Sequence, residues 1–249
     1  RPRSTGWFET DFFGYKYRGE FTNYIDSEVY YFGSYERSHL EFLVHASRTI
    51  KQDRGRVVFA DVGANVGQHA LFMSAHVDEV LAFEPWGVAR TRLENLININ
   101  EVKNVRIFAV GLGSRDLELP YDAPLIEHGN LGWGTFNNAT GDHLPVRNGD
   151  AFLEENYVPR PDLIKIDVEG FEREVLIGLN KTLVLQRPVM TVEFWRPEDF
   201  GSEANFRRAL YPDHRLYALN EIPNGKYSLT PFIWGPADTL VIAPDELSL

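Results

Sequence analysis

The sequence predicts an α/β fold built on a mostly parallel sheet, and three features predict it. Apolar runs of strand length, VVFADV, VLAF and LIKIDV, are separated by segments of helical length. These runs are nearly continuous rather than alternating, as expected of parallel strands buried on both faces. The first run ends in a glycine-rich turn that opens into a helix-like segment, the beginning of a βαβ unit. At 249 residues, the chain is long enough for one large domain of this class with a short appended segment.

Taken in order, residues 1–34 are rich in aromatics and glycine without a clear period, and we expect them to wrap the main body as an extension. ERSHLEFLVHASRTI then puts Leu40, Leu43, Val44, Ala46 and Ile50 on one face of an amphipathic helix, with Ser34 as a candidate cap and Asp53 to Gly55 ending it. Residues 1–55 therefore read as an N-terminal extension and helix packing on a main domain of residues 56–249. In that domain RVVFADV is a strand, QHALFMSAHV a helix, EVLAFEP a strand, GVARTRLENLININ a helix and VRIFAVGLG a third strand. A polar, glycine-rich insert follows at about 114–148. DLIKIDVEG is the fourth strand, REVLIGLNKTL a helix, RPVMTVEFW the fifth strand and EANFRRALY a helix. HRLYALN, KYSLTPFI and DTLVIAP close the chain as strand candidates. There are no internal repeats.

Composition narrows the function. A net charge of −11 and a pI near 5.1, with no basic stripe, argue against a nucleic-acid partner. No apolar run approaches the roughly 18 residues of a membrane span. The absence of cysteine rules out disulfides, thiolate metal sites and a cysteine nucleophile, and fits a reducing, cytoplasmic location. Because Arg1 stands where methionine would, the gene is expected to begin upstream. The 17 Phe, 11 Tyr and 5 Trp suit a pocket that stacks on flat or sugar-like ligands, beyond their use in the core.

The turn in FADVGANVGQHALFMSA is the main functional signal. It reads as a fold-only turn, a phosphate cradle or a pocket for a nucleoside without phosphate. Gly63 and Gly67 let the backbone bend tightly and approach a ligand, and the next helix offers unpaired N–H groups to an anionic group such as a carboxylate. Asn65 stands where a dinucleotide fingerprint wants glycine, and no G-K-[ST] follows. Asp61 would repel a pyrophosphate but suits an ammonium group. Glu84 closes the second strand one βαβ step later, placed to accept two hydrogen bonds from ribose hydroxyls. Together these residues describe a pocket for an amino acid joined to a ribonucleoside, which fits S-adenosylmethionine and fits NAD poorly.

In order and spacing, FADVGANVG, LAFEP, LIKIDVEGFEREVLIG and TVEF resemble the FkbM-type S-adenosylmethionine-dependent methyltransferases, over roughly Tyr31 to Phe194. The resemblance implies a class I methyltransferase fold, a Rossmann-like three-layer sandwich. Its sheet would have about seven strands, parallel except for a last antiparallel one, here TLVIAP. It also implies that Asp61, Gly63, Ala64, Asn65 and Gly67 cradle the methionine portion of the cofactor. Glu84 would hold the ribose, Pro85 and Trp86 would lie beside the adenosine, and Val110 and Gly111 near the adenine. Tyr35 and Glu36 match a family element before the first strand; they would close over the cofactor or cap the helix.

A hydroxyl acceptor must lose a proton near the transferred methyl. Period two puts Lys165 and Asp167 on one face of the fourth strand, and the resemblance makes the fifth strand its neighbour, so Glu193 is the expected partner of the buried lysine. Asp167, Lys165 and Glu193 are the catalytic candidates, with Asp167 as base or acceptor-orienting group; a purely structural ion pair is the competing reading. Glu169 could cap the next helix or touch substrate. His69 and His128 are alternative bases, His128 in an insert read as a substrate lid with Trp133, Asn137 and Asn138 suited to sugar contacts. Asp167 and Glu193 could share a divalent cation, but no ligand motif demands a metal. The expected function is O-methylation of a saccharide or secondary metabolite. N- or carboxyl-methylation and a non-catalytic cofactor-binding domain are the alternatives.

Overall fold

Parallel strands need crossover helices to cover both faces of their sheet, and the chain supplies them in alternation. A computed structural model describes residues 6–122, 135–136 and 143–249. His128, Trp133, Asn137 and Asn138 lie outside the described residues, as does most of the expected lid.

The first elements show regular structure where the sequence has no clear period. Residues 6–34 form a hairpin, β1 (Trp7–Phe12) and β2 (Tyr15–Glu20), followed by α1 (Tyr24–Phe32). Phe13 and Gly14, both at positive φ, make its two-residue turn. Only part of one hairpin face is buried, so no strong period shows in the sequence. Buried Asp26 on α1 anchors the unit, accepting hydrogen bonds from the Tyr17 hydroxyl at 2.8 Å and the Glu20 amide at 2.7 Å and pairing with Arg92. Helix α2 (Arg37–Arg54) ends at Gly55 as expected. Its start differs: the N-cap residue is Glu36, at φ 49°, with no side-chain cap bond, so Ser34 does not cap it.

The main body then runs β3 (Val58–Val62), α3 (Gln68–Met73), β4 (Glu79–Phe83), α4 (Gly87–Ile99) and β5 (Val105–Phe108). The expected third strand breaks after Phe108. Its second half, β6 (Gly111–Gly113), joins a separate sheet with β7 (Leu117–Asp122), β8 (Thr135–Phe136) and β9 (His143–Asn148) in the order β6-β9-β7-β8. After α5 (Gly149–Glu155) come β10 (Leu163–Ile166), α6 (Glu172–Gly178), α7 (Asn180–Gln186), β11 (Val189–Phe194) and α8 (Glu203–Arg208). The expected single helix after β10 is thus two short ones. β12 (His214–Ile222), β13 (Lys226–Pro231) and β14 (Ala237–Pro244) complete the chain.

The main sheet has eight strands in the order β13-β12-β14-β11-β10-β3-β4-β5. β5, β4, β3, β10 and β11 are parallel, and β14 is antiparallel to β11, as expected of the last strand. The eighth strand, β13, is an antiparallel addition that extends the edge through a hairpin with β12. Side chains alternate between two cores: Phe59, Val80 and Leu163 pack under α2, α3 and α4, while Val58, Ala60, Ile164 and Val192 pack against α6, α7 and α8. Among the described residues, no helix is long and apolar enough to cross a membrane.

Candidate active site

Alternation puts polar residues on the α2 face of the sheet, where Phe59 and Leu163 would otherwise be followed by more apolar side chains. Asp61, Lys165 and Thr191 stand level with one another on β3, β10 and β11, since Lys165 is in register with both Asp61 and Thr191. All three are buried. They form a polar row across the carboxyl half of the parallel sheet, beneath the starts of α2 and α3.

The Lys165 Nζ lies 2.8 Å from Asp167 Oδ2 and 3.9 Å from Asp61 Oδ1. Lys165 and Asp167 therefore share a face as expected, but the partner expected for the lysine was Glu193, and its ion pairs are with Asp167 and Asp61. The reason is register: Glu193 lies two residues beyond Thr191, level with Asp167 rather than with Lys165. Burial opposes charge on Lys165, yet the carboxylates of Asp167, Asp61 and Glu36 outweigh it and hold the ammonium protonated.

Around Asp167 the carboxyls divide into two kinds. Burial works against its charge, but the Lys165 ammonium wins and holds its carboxyl below the usual range. Glu193, half-buried beside ionised Asp167 and near Glu169, is pushed up to about 9 by desolvation and then by those charges, and Glu169 to about 7 by burial and then by Asp167. At neutral pH Glu193 carries a proton and Asp167 does not. The Trp195 indole donates to Glu193 at 2.8 Å, and strand pairing between β11 and β14 shifts register at Glu193, an irregularity of the kind that re-aims side chains beside active sites. Carboxylate oxygens of Asp167, Glu169 and Glu193 lie within 4.8 Å of one another.

The glycine turn is fixed from several sides. The Gly63 and Ala64 amides both donate to the Phe83 carbonyl at 3.1 Å, tying the end of β3 to the end of β4. Glu84, buried just past β4, accepts the Asn65 amide at 2.9 Å on one oxygen and the Trp86 amide at 2.8 Å on the other. Each oxygen keeps a second lone pair. Gly63 and Gly67 sit at φ 84° and 91°, and a Cβ would overlap the Asp167 carbonyl oxygen at the first and the Leu93 side chain at the second. Both glycines thus have a packing reason, close approach to β10 and to α4, in addition to turning the chain.

Hydrogen-bond accounting leaves a gap at this turn. Asn65 Oδ1, Gln68 Nε2 and His69 Nε2 are buried with no hydrogen-bond partner among the described residues, and the Asp61 oxygens have only the Ala70 amide and the Lys165 ammonium nearby, neither in full hydrogen-bond geometry. Buried polar atoms are almost always paired, so this cluster fits a polar group that the protein binds. Burial drives the carboxyls toward their neutral forms, Asp61 to about 6 despite Lys165, and Glu84 to about 7 despite its two amide donors. A cationic group at Asp61 and hydrogen-bond donors at Glu84 would reverse these shifts. Pro85 lies by Gly111, whose Cβ position is 3.6 Å from the Pro85 ring, and Val110 packs partly buried against the neighbouring core. The structure therefore brings the turn, Glu84, Pro85 and Gly111 to one end of the sheet.

Tyr35 and Glu36 join this end. The Tyr35 amide donates to Gln68 Oε1 at 2.9 Å, linking the start of α2 to α3. Burial, reinforced by Glu36, keeps the Tyr35 hydroxyl protonated. Sequence reasoning did not find His39. It stands one helical turn after Glu36 and meets both Glu36 and Thr191, and the i, i+3 spacing was the available signal. His69 is buried, and burial, Lys165 and His39 keep it neutral. A cleft of roughly 520 Å³ opens beside these residues, lined among others by Tyr35, Glu36, His39, Glu193, Glu221 and Asp238.

Comparison with known proteins gives a concordant picture. The family model of the methyltransferase FkbM domain matches residues 61–220. That span begins after Tyr35 and Glu36 and runs past Phe194 into β12. The hexuronic acid methyltransferase AglP of Haloferax volcanii is 33% identical over 128 residues, 51% of this chain and 51% of that protein. The AMB antimetabolite synthetase AmbE of Pseudomonas aeruginosa is 28% identical over 162 residues, 49% of this chain and 8% of that protein. Among solved structures, the methyltransferase FkbM of Methylobacillus flagellatus has a TM-score of 0.52 at 18% identity, covering 76% of this chain and 43% of that one. A SAM dependent methyltransferase from Agrobacterium tumefaciens has a TM-score of 0.52 at 11% identity, covering 98% and 72%. At those identities the structures speak to the fold alone. The chain spans about half the length or less of the curated relatives it matches.

Proposed function

The chain belongs to the FkbM methyltransferase family, and we propose that it transfers a methyl group from S-adenosylmethionine to a hydroxyl of an uncharged saccharide or secondary metabolite. The observation that carries this reading is the cluster of buried, unpartnered polar atoms at the glycine turn, with Glu84 beside it. Asp61 would face the ammonium of the methionine portion, and the open lone pairs of Glu84 the ribose hydroxyls. Pro85, Trp86, Val110 and Gly111 would flank the adenosine, with Tyr35 and Glu36 closing the site.

When bound, the cofactor supplies an electrophilic methyl group on a sulfonium. The chain's own task is to align the acceptor and receive its proton. Asp167, kept ionised by Lys165, would accept the hydroxyl hydrogen, and protonated Glu193 would hold Asp167 in place.

The cleft supports an uncharged acceptor. Glu36, Glu221 and Asp238 line it beside protonated Glu193, and no lysine or arginine does among the described residues. Such a wall disfavours a carboxylate, so the acceptor would differ in charge from the acid named for the Haloferax protein. Labelled S-adenosylmethionine should be incubated with neutral glycosides, uronates, amino sugars and polyketides. Turnover of neutral glycosides or polyketides above uronates is the expected result. Preference for the uronates overturns the acceptor assignment, and preference for the amino sugars moves it to nitrogen. Failure to bind S-adenosylhomocysteine in calorimetry overturns the cofactor assignment.

A further inference from the structure

We propose that Glu36, His39 and His69 form a site for one divalent transition-metal ion of the zinc class, set into the wall of the acceptor cleft. His39 Nδ1 lies 3.3 Å and His69 Nε2 3.5 Å from Glu36 Oε2, and the three residues each bring a ligand atom within 4.8 Å of the others. Metal–ligand bonds of ~2.0–2.1 Å at tetrahedral angles separate ligand atoms by about 3.3 Å, and octahedral angles by about 3.0 Å. The two separations from Glu36 Oε2, 3.3 and 3.5 Å, lie nearer the tetrahedral value. Two imidazoles and one carboxylate with an open fourth position is a donor set that zinc takes in catalytic sites.

Two further observations point to a ligand rather than a packing contact. His69 is more than nine-tenths buried, yet its Nε2 has no hydrogen-bond partner among the described residues and is directed at Glu36. His39 engages the Thr191 hydroxyl through Nε2 at 3.0 Å, leaving Nδ1 toward Glu36. Metal-bound histidines are held in this way by a second partner on the far nitrogen. The Thr191 hydroxyl can accept from or donate to Nε2, and in the tautomer that donates Nε2–H to it, Nδ1 offers its lone pair to a cation held against Glu36. The surrounding charge agrees: Glu36, Asp61 and Asp167 are three carboxylates around one ammonium, Lys165. Glu36 and His39 both line the cleft, so the fourth position would open toward it.

This inference shares Glu36 and the unpartnered His69 Nε2 with the methyl-transfer reading, but its test is metal binding alone. The chain, stripped with chelator, should be titrated with Zn²⁺ in a calorimeter and with Co²⁺ in an absorption spectrometer. One equivalent should bind, Co²⁺ should give the intense visible bands of a tetrahedral site, and Zn²⁺ should raise the melting temperature. His39→Ala and His69→Ala should each weaken binding at least about tenfold, and so should Glu36→Gln. Asp167→Asn combined with Glu193→Gln removes one nearby charge but no ligand, so one equivalent should still bind and the Co²⁺ bands should persist. Should a histidine variant fail to fold, Glu36→Gln still decides, since that side chain is 29% exposed. No uptake by the folded chain overturns the site, as does binding indifferent to all three substitutions. Binding lost only in the Asp167 and Glu193 variant places the ion at the acidic trio and equally overturns it.

Discussion

Lys165 donates to Asp167 across 2.8 Å from a side chain that is almost wholly buried. The lysine carries the only positive charge in the buried row of Asp61, Lys165 and Thr191. Lys165→Met should therefore leave Asp61 and Asp167 without their counter-charge. Breaking a buried pair costs about 3–5 kcal/mol, and Asp167, with 31% of its side chain exposed, puts this case near the lower end. Urea denaturation should show a loss of about 3 kcal/mol, partly recovered in Lys165→Met with Asp167→Asn. An unchanged midpoint would mean that the pair contributes nothing to the fold.

Asp167 and Glu193 should separate in kinetics. Asp167 is the ionised member of the pair, so Asp167→Asn should lower kcat by roughly 10²–10⁴, the range for loss of a general base, with a smaller effect on KM. Glu193, pushed up to about 9, is protonated at neutral pH, and Glu193→Gln keeps a similar hydrogen-bonding shape. It should stay within about tenfold of the wild type at pH 7. The reverse ranking would make Glu193 the base and Asp167 its support.

The sequence revealed this site unevenly, for physical reasons. Asp61 and Glu84 were legible because both stand at strand ends in consecutive βαβ units, and neighbouring parallel strands bring such positions together. The pairing of Lys165 was not: strand order says which strands touch, whereas register says which residues stand level, and no sequence pattern fixed it. His39 and His69 meet only because α2 crosses the sheet at one rotation, which packing of Leu40, Leu43 and Ile50 determines. In the fold, strands buried on both faces were plain from their apolar runs. The β1–β2 hairpin was hidden because one partly buried face leaves a weak alternation. The third strand was read too long because VGLG stays apolar after leaving the main sheet.

Gly63 should not tolerate a side chain. Its φ of 84° is costly for alanine, and the added Cβ would overlap the Asp167 carbonyl oxygen at the end of β10. Gly14, at φ 87°, has nothing within 4 Å of its Cβ position and serves as the control for backbone strain alone. Gly14→Ala should cost about 1–2 kcal/mol. Gly63→Ala should cost about 2 kcal/mol more, because β10 must shift or the turn must open. Chemical denaturation of both variants checks the difference; equal losses would mean that the approach of the turn to β10 relaxes freely.

Proton release should accompany cofactor binding. In the free protein, burial raises Asp61 from 3.8 to about 6 and Glu84 from 4.5 to about 7. With folded values above unfolded ones, the folded state holds more protons, so their stabilising contribution is complete below about pH 4 and is lost as pH rises through 6 and 7. Glu169 and Glu193 act with the same sign over their own ranges. His69, His76 and His214, held below the ordinary imidazole value, act with the opposite sign up to about pH 6.5, so the ligand-free melting temperature should fall between about pH 7 and 8. A ligand that brings an ammonium to Asp61 and hydroxyl donors to Glu84 favours the ionised carboxylates and lowers both values. S-Adenosylhomocysteine should then bind more tightly as pH rises from about 5.5 to 8, and calorimetry in buffers of different ionisation enthalpy should detect released protons. Asp61→Asn should reduce the number released. An affinity flat across that range, with no buffer dependence, would separate these carboxylates from the cofactor.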